Sequence, residues 1–131
     1  MARSPSSLFL AIAAASGFLA VALGAFGAHA LRGQLDARAE AVYQTAVEYH
    51  FFHTLALLAV ALLCRQSARA SLSAAGWAFS IGLLLFCGSL YLLSITGAGW
   101  LGAITPLGGV AFLCGWALLL AASLSAEPGG D

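Results

Sequence analysis

The sequence predicts an all-α integral membrane protein, a single four-helix transmembrane bundle that occupies residues 1–131. Composition is the first reason, because 62% of the 131 residues are hydrophobic and only 8% are charged. A soluble domain is about 45–50% apolar and about a quarter charged. The second reason is that the apolar residues form four runs, each long enough for a helix to cross about 30 Å of hydrocarbon. Such unbroken runs favour helices over a membrane barrel, whose strands alternate in polarity.

The four predicted spans cover residues 8–30, 42–64, 74–96 and 106–124. Asp36 can cap a helix that begins at Ala37, so the second helix is expected to start in water and enter the membrane near Tyr43. Thr105 and Pro106 place a hydroxyl at an N-cap and a proline at the first helical position. The fourth helix is therefore predicted to begin at Pro106.

The first span carries small residues that fall on one helical face: Ala13, Gly17, Ala20, Gly24 and Ala28. Small residues at this spacing let membrane helices approach closely, which predicts Gly17, Gly24 and Ala28 as helix-packing residues. The alternative is a cleavable secretory signal, because residues 28–30 imitate a cleavage site. The apolar stretch exceeds 20 residues, however, whereas the apolar part of a signal has about 7–15. We therefore expect the first span to remain part of the bundle.

Arginine positions indicate the orientation in the membrane. Alternating connectivity puts Arg3, Arg65 and Arg69 on one side and Arg32 and Arg38 on the other. Positive side chains are more frequent in cytoplasmic segments. The three-to-two ratio therefore favours cytoplasmic locations for both termini.

Charge and cysteine usage exclude several classes of protein. The chain has no lysine, and its five arginines balance five acidic residues for a net charge of +0. A nucleic-acid binder needs a basic face, and a disordered chain needs low hydrophobicity. The three cysteines, Cys64, Cys87 and Cys114, are odd in number and lie in apolar runs, so they are predicted to be small buried hydrophobes.

Polar and ionisable side chains concentrate in one leaflet of the predicted bundle. An ionisable group inside a membrane costs about 2.5–3.5 kcal/mol on insertion scales, so it is a functional candidate. Connectivity brings the end of the first helix, the start of the second, the end of the third and the start of the fourth to one side. The candidate polar pocket there comprises His29, Gln44, Glu48, Tyr49, His53, Tyr91 and Thr105.

Helical geometry gives an expected orientation for the second span. At about 100° per residue, Thr45, Tyr49 and Phe52 share one side, which we expect to face the bundle centre. Glu48 would then lie at the flank of that side. His50 would face lipid headgroups or a partner.

The polar and ionisable residues do not form a recognisable metal, haem or catalytic motif. His29 and His53 differ in depth by about 10 Å on the helical rise, which argues against a haem held between them. His50 and His53, with Glu48 nearby, lack the HExxH arrangement of zinc enzymes. No hydrolase triad or phosphate loop is recognisable, so we expect no metal, no cofactor and no enzymatic activity.

Four segments of the sequence form a pattern typical of a known family. They are GAFGAH at 24–29, QTAVEYHFFHTLA at 44–56, GSLYL at 88–92 and ITPLGGV at 104–110. In order and spacing they resemble the domain-of-unknown-function 423 family of small bacterial inner-membrane proteins, whose eukaryotic relative is transmembrane protein 256. The resemblance runs nearly end to end and implies a four-helix architecture in the bacterial inner membrane, without an established activity or cofactor. His50 departs from the family pattern, where glutamine is expected.

Two functions are compatible with these observations. The first is a structural or accessory membrane component whose polar cluster holds the helices together, with Glu48 paired to Gln44 one turn away. The second is an oligomeric module that binds or transports a lipid, a quinone-like ring or a proton. Expected partners are membrane lipid and either further copies of the chain or a larger membrane complex, but not nucleic acid. Full mutual pairing of Glu48, Tyr49 and His53 would favour the first, and a cavity that reaches them the second.

Overall fold

The computed structural model describes residues 4–125 and confirms the predicted fold class. Four helical segments are long and apolar enough to cross a membrane: Pro5–His29, Ala37–Gln66, Ala70–Thr96 and Gly99–Leu124. Each predicted span overlaps one of these segments along most of its length. Arg3, which entered the orientation argument, lies outside the described residues.

The first two segments are regular α-helices, α1 (Pro5–His29) and α2 (Ala37–Gln66). The Asp36 carboxylate accepts a hydrogen bond of 2.8 Å from the backbone N–H of Ala39. This cap confirms that α2 begins at Ala37, as its sequence predicts. With 30 residues at about 1.5 Å each, α2 is about 45 Å long and exceeds the hydrocarbon thickness.

The third segment is interrupted in its middle. It consists of α3 (Ala70–Gly82), a π-helical turn (Leu83–Cys87) and α4 (Gly88–Thr96). Gly97 ends α4 in the left-handed conformation with a φ of 69°, which glycine adopts without steric cost. The π-helical turn was not predicted from the sequence. Such turns often occur at functional sites, because they change the direction of the side chains that follow.

The fourth segment begins differently from the prediction. A 3-10 helix (Gly99–Ala103) leads directly into α5 (Thr105–Leu124), and Ile104 occupies the N-cap position. The Thr105 hydroxyl lies 2.6 Å from the Ser89 hydroxyl of α4. The prediction of Thr105 as a helix cap is therefore wrong, because the 3-10 turn leaves no free cap position and the hydroxyl bonds to the neighbouring helix instead.

The helices pack in two pairs that α2 joins. α1 packs mainly against α2 and α3 mainly against α5, while α2 also contacts α3 and α4. The largest fully buried side chains are Tyr43, Phe9, Phe79, Leu57, Val60 and Cys87. Large apolar side chains also cover the outer surface, as the solvent of a membrane protein requires.

Glycines opposite aromatic rings bring the third and fourth segments close together. A Cβ atom added at Gly82 would lie 2.5 Å from Phe112 Cε1 and closer still to the adjacent ring carbon, and one added at Gly115 would lie 2.7 Å from Phe79 Cε1. At Gly108 the obstacle is backbone, since a Cβ there would lie 2.7 Å from the Phe86 Cα. These glycines were not identified as packing residues in the sequence, because they are not spaced as a single stripe.

The contact between α1 and α2 uses small residues, but not the predicted set. Gly17 and Gly24 face α2, where an added Cβ would lie 3.6 Å from Thr54 and from Val47 respectively, which is ordinary contact. Ala28 is exposed, so its prediction as a packing residue is wrong. The close approach occurs at Gly27 instead, against the Tyr43 ring. The reason is that Tyr43 projects from α2 toward α1 and its hydroxyl donates a hydrogen bond to the Leu23 carbonyl.

The orientation of α2 differs from the expectation. His50, Ala46 and Leu57 are buried, whereas Glu48 and Phe52 are exposed. On a wheel of about 100° per residue, the buried face is turned by about a third of a revolution from the predicted one. His50 is therefore a core residue, and the expectation that it faces lipid or a partner is wrong. Its ring finds hydrogen-bond partners inside the bundle, as a buried polar group requires.

Candidate functional site

The structure divides the predicted polar pocket among three environments. His53 and Tyr91 are buried, and Thr105 is half-buried. Tyr49 is 41% exposed and lies at the rim of a groove. The other three predicted residues, His29, Gln44 and Glu48, are exposed on the outside of the bundle. These seven side chains therefore do not form a single pocket.

A buried hydrogen-bond network centres on His50. Its Nδ1 lies 2.9 Å from the Tyr91 hydroxyl, and its Nε2 lies 3.1 Å from the Ser16 hydroxyl. The Ser16 hydroxyl in turn lies 2.6 Å from that of Thr54. The network thus connects α1, α2 and α4 in the middle of the bundle. Within residues 4–125, no buried side-chain nitrogen or oxygen lacks a hydrogen-bond partner.

A cavity of about 450 Å³ adjoins this network. Ser16, His50 and Tyr91 contribute its polar wall, and Leu84 and Cys87 of the π-helical turn contribute part of its apolar wall. The polar atoms of His50 are already engaged with Ser16 and Tyr91. The hydrogen bonds of His50 therefore hold the helices in position and leave neither of its ring nitrogens free for a ligand.

His50 should contribute measurably to stability through this network. Replacement by leucine removes both ring nitrogens and leaves the Tyr91 hydroxyl without that partner. Hydrogen bonds between membrane helices are worth about 0.6 kcal/mol on average and about 1.7 at most. We expect His50→Leu to destabilise the protein by about 1–2 kcal/mol, measured as a lower midpoint of thermal unfolding in detergent micelles.

Two further variants test the assignment to the network. His50→Gln retains a donor and an acceptor, so it should lose less than half as much stability as His50→Leu. Phe18→Leu changes a 75% exposed position on α1, away from the network, and should leave the midpoint near that of the parent. Equal midpoints for the parent and His50→Leu would contradict a stabilising role.

His53 is held in one tautomer by its two hydrogen bonds. Its Nδ1 lies 2.9 Å from the Tyr49 backbone carbonyl, which can only accept, so Nδ1 carries the proton. The Trp116 indole N–H then donates to Nε2 at 3.1 Å. The ring also stacks on Phe112, with centroids 3.6 Å apart. These contacts connect α2 to α5 through a neutral histidine.

An aromatic groove of about 740 Å³ lies beside His53 and opens on the outside of the bundle. We use this name for the space between α2, the π-helical turn and α5. Its aromatic lining consists of Tyr49, Phe52, His53, Phe86, Phe112 and Trp116. Volumes of about 300–1,000 Å³ are typical of small-molecule sites. Tyr49 lines the groove, and its hydroxyl makes no hydrogen bond within residues 4–125.

Other types of site have less support in the structure. Among residues 4–125, no three His, Cys, Asp or Glu side chains come together in a way that could hold a metal ion. Cys87 is buried, Cys64 is half-buried and Cys114 is exposed. The prediction that all three cysteines are buried is therefore wrong for Cys114, which lies on the outer face of α5.

Two functional features were missed from the sequence. Ser16 and His50 form the core network, although the small-residue stripe drew attention to neighbouring positions in α1. Trp116 and Phe112 complete the groove, although aromatic residues in a span usually indicate only packing. The spacing of the aromatic residues at 112 and 116, one turn apart on α5, could have indicated a shared face.

The sequence is similar to that of known membrane proteins along most of its length. Residues 23–109 match a family model described as "Protein of unknown function (DUF423)". The chain is 46% identical over 118 residues to "UPF0382 membrane protein YwdK" of Bacillus subtilis, covering 89% of this chain and 96% of that protein. It is 41% identical over 119 residues to "UPF0382 inner membrane protein YgdD" of Escherichia coli, covering 91% of each. No solved structure gives a significant match.

Proposed function

This chain belongs to the DUF423 family of membrane proteins. On that basis we propose that it is a non-catalytic structural component of the bacterial inner membrane. In this proposal it works as an assembly of its own copies. The name of the Escherichia coli relative supports the inner membrane. The arginine distribution supports cytoplasmic termini. The observation that carries the assembly is the exposed position of Glu48 in the middle of a membrane-spanning helix.

Glu48 and Gln44 form a polar stripe on the outer face of α2. Both side chains are exposed, and within residues 4–125 neither makes a hydrogen bond, so the expected pairing of Glu48 with Gln44 is wrong. They lie one helical turn apart, between Glu40 and Arg65, and Glu48 is the one formally charged residue of that interval. An ionisable side chain that faces hydrocarbon costs several kcal/mol. A protein surface that covers the polar stripe would remove this cost.

A second copy of the chain supplies a suitable covering surface. Copies inserted with the same topology place their α2 helices parallel and at equal depth, so a two-fold axis along the membrane normal brings two polar stripes together. The Gln44 amide of one copy can then donate to the Glu48 carboxyl oxygen of the other. Phe51 and Leu55 are 38% and 60% exposed and lie on the same face of the helix, where they would supply the apolar packing.

Substitutions in the polar stripe test this assembly. We expect the parent to form dimers, with Glu48→Leu raising the dissociation constant about tenfold because two symmetric hydrogen bonds of the membrane scale are lost. Glu48→Gln keeps hydrogen-bonding capacity and should associate nearly as tightly as the parent. Sedimentation equilibrium of the full chain in density-matched detergent micelles measures the constant.

The control for this experiment is Phe18→Leu on α1. Phe18 is 75% exposed and lies on a different helix from the polar stripe, so its replacement should leave the dissociation constant unchanged. A parent that stays monomeric over the whole concentration range would contradict the assembly. A Glu48→Leu variant that associates as tightly as the parent would also contradict it.

A second candidate function, binding of a lipid-soluble molecule, is favoured by the aromatic groove. The groove reaches Tyr49 and His53 but not Glu48, so it meets part of the sign expected of a binding module, a cavity that reaches all three residues. The mutual pairing of these three side chains, which is the sign expected of a structural component, is incomplete, because Glu48 is exposed and makes no hydrogen bond within residues 4–125. The groove uses a different face of α2 from the polar stripe, so the two functions are compatible in one protein.

A further inference from the structure

We propose that the aromatic groove binds the ring of a lipid-soluble quinone, or of its hydroquinone, which enters sideways from the bilayer. This inference deepens the ligand-binding candidate and does not depend on the assembly of copies. It rests on the solvent that surrounds the groove, on the arrangement of its rings and on the free hydroxyl of Tyr49.

The surrounding solvent restricts which molecules the groove can select. Lipid tails are as apolar as the side chains of the protein, so moving an acyl chain from the bilayer into an apolar groove gains little hydrophobic free energy. Selective binding from a membrane therefore depends on stacking and on hydrogen bonds. An acyl chain offers neither interaction, whereas a planar ring with carbonyl or hydroxyl groups offers both.

The rings of the groove are arranged as a stack. The Tyr49 and Phe86 rings have centroids 4.5 Å apart and planes 28° apart. The His53 ring is inclined by 17° to Tyr49 and by 13° to Phe112. Near-parallel rings of this kind present their faces in a common direction. A flat ligand ring can extend the stack, since offset stacking is a preferred geometry of aromatic pairs.

The hydrogen-bonding groups of the groove match both redox forms of a quinone. The hydrogen bonds of His53 to the Tyr49 carbonyl and to Trp116 are internal, so neither ring nitrogen is free. The Tyr49 hydroxyl remains available, and it can donate to a quinone carbonyl or accept from a hydroquinone O–H. A groove of about 740 Å³ accommodates one such ring and the beginning of its tail.

Tryptophan quenching measures this binding, because a quinone close to an indole quenches its fluorescence. The probe is a dimethoxybenzoquinone with a decyl tail, titrated into full-length protein in phosphatidylcholine vesicles. One variant carries Trp77→Phe and Trp100→Phe and reports from Trp116 in the groove. A reference variant carries Trp77→Phe and Trp116→Phe and reports from Trp100, which is 68% exposed outside the groove. We expect saturable quenching of Trp116, and quenching of Trp100 that rises only in proportion to the quinone in the bilayer.

Substitutions in the Trp116-reporting protein assign the binding to the groove. Tyr49→Phe keeps the stack and removes the hydroxyl, so the dissociation constant should rise about threefold to twentyfold, the scale of one membrane hydrogen bond. Val110→Phe places a side chain in the groove and should abolish saturation. Its matched control is Val21→Phe on the outer face of α1, where Val21 is 62% exposed, close to the 58% of Val110; this variant should bind as the parent does.

Several results would overturn the proposal. Proportional quenching at both tryptophans would mean that the quinone is only dissolved in the bilayer. Saturation that survives Val110→Phe would place the molecule elsewhere. Unchanged affinity in Tyr49→Phe would show that the hydroxyl does not select a quinone. Displacement of the probe by decylphosphocholine at equal concentration would identify an acyl chain as the occupant. Sedimentation equilibrium in micelles measures the assembly of copies and does not depend on quinone binding. Failure of the assembly proposal and failure of the quinone proposal can therefore be distinguished.

Discussion

Replacing Gly108 with alanine should destabilise the protein by about 3 kcal/mol, at the upper end of the usual cost of overpacking. The added Cβ would lie 2.7 Å from the Cα of Phe86, and backbone cannot rotate away as a side chain can. α5 would have to move away from the π-helical turn. The measurement is the midpoint of thermal unfolding in detergent, together with the fraction of protein that elutes as a single folded species.

Gly109→Ala is the matched control for this prediction. Gly109 is the next residue of α5, and a Cβ there would lie 3.8 Å from the Phe86 ring, which is ordinary contact. Its stability should stay within about 1 kcal/mol of the parent, since a surface-like change without a clash has a small effect. Similar unfolding midpoints for Gly108→Ala and Gly109→Ala would show that the close approach of the two backbones is absent.

The second large effect is expected at Gly27, on the contact between α1 and α2. A Cβ at Gly27 would lie 2.9 Å from Tyr43 Cδ1 and closer still to the neighbouring ring carbon. Tyr43 is only 2% exposed, and its hydroxyl is bound to the Leu23 carbonyl, so the ring has little freedom to move. We expect Gly27→Ala to cost about 2–3 kcal/mol in unfolding free energy, measured by thermal or denaturant unfolding in micelles.

Gly24→Ala separates this steric effect from a general effect of alanine in α1. A Cβ at Gly24 would lie 3.6 Å from Val47 and 3.7 Å from Phe51, distances that require no movement. Its unfolding free energy should therefore stay within about 1 kcal/mol of the parent. Combining Gly27→Ala with Tyr43→Phe, which releases the ring from Leu23, should recover part of the loss; additive losses would argue against the clash.

The site was only partly predictable from the sequence, because the depth of a residue in the membrane and the direction of its side chain depend on different features. Connectivity and helical rise give the depth of a residue, which is why His53 and Tyr91 were identified as polar groups inside the bundle. The direction of a side chain depends on the rotation of its helix. An error of about a third of a revolution in α2 placed His50 on the outside, although it is buried in the core, and Glu48 at the flank of the inner face, although it is exposed.

Composition and the length of the apolar runs were sufficient to determine the solvent, the helical fold class and the number of spans, and Asp36 as an N-cap determined that α2 begins at Ala37. These properties depend on local features, namely the energy of transferring about 20 residues into hydrocarbon and the capping of free N–H groups. The tertiary structure alone decided which face of each helix is inside, where the close glycine contacts occur and how the aromatic groove is assembled. The reason is that hydrocarbon surrounds the bundle, so both faces of a spanning helix are apolar, and only packing and hydrogen bonding between helices distinguish them.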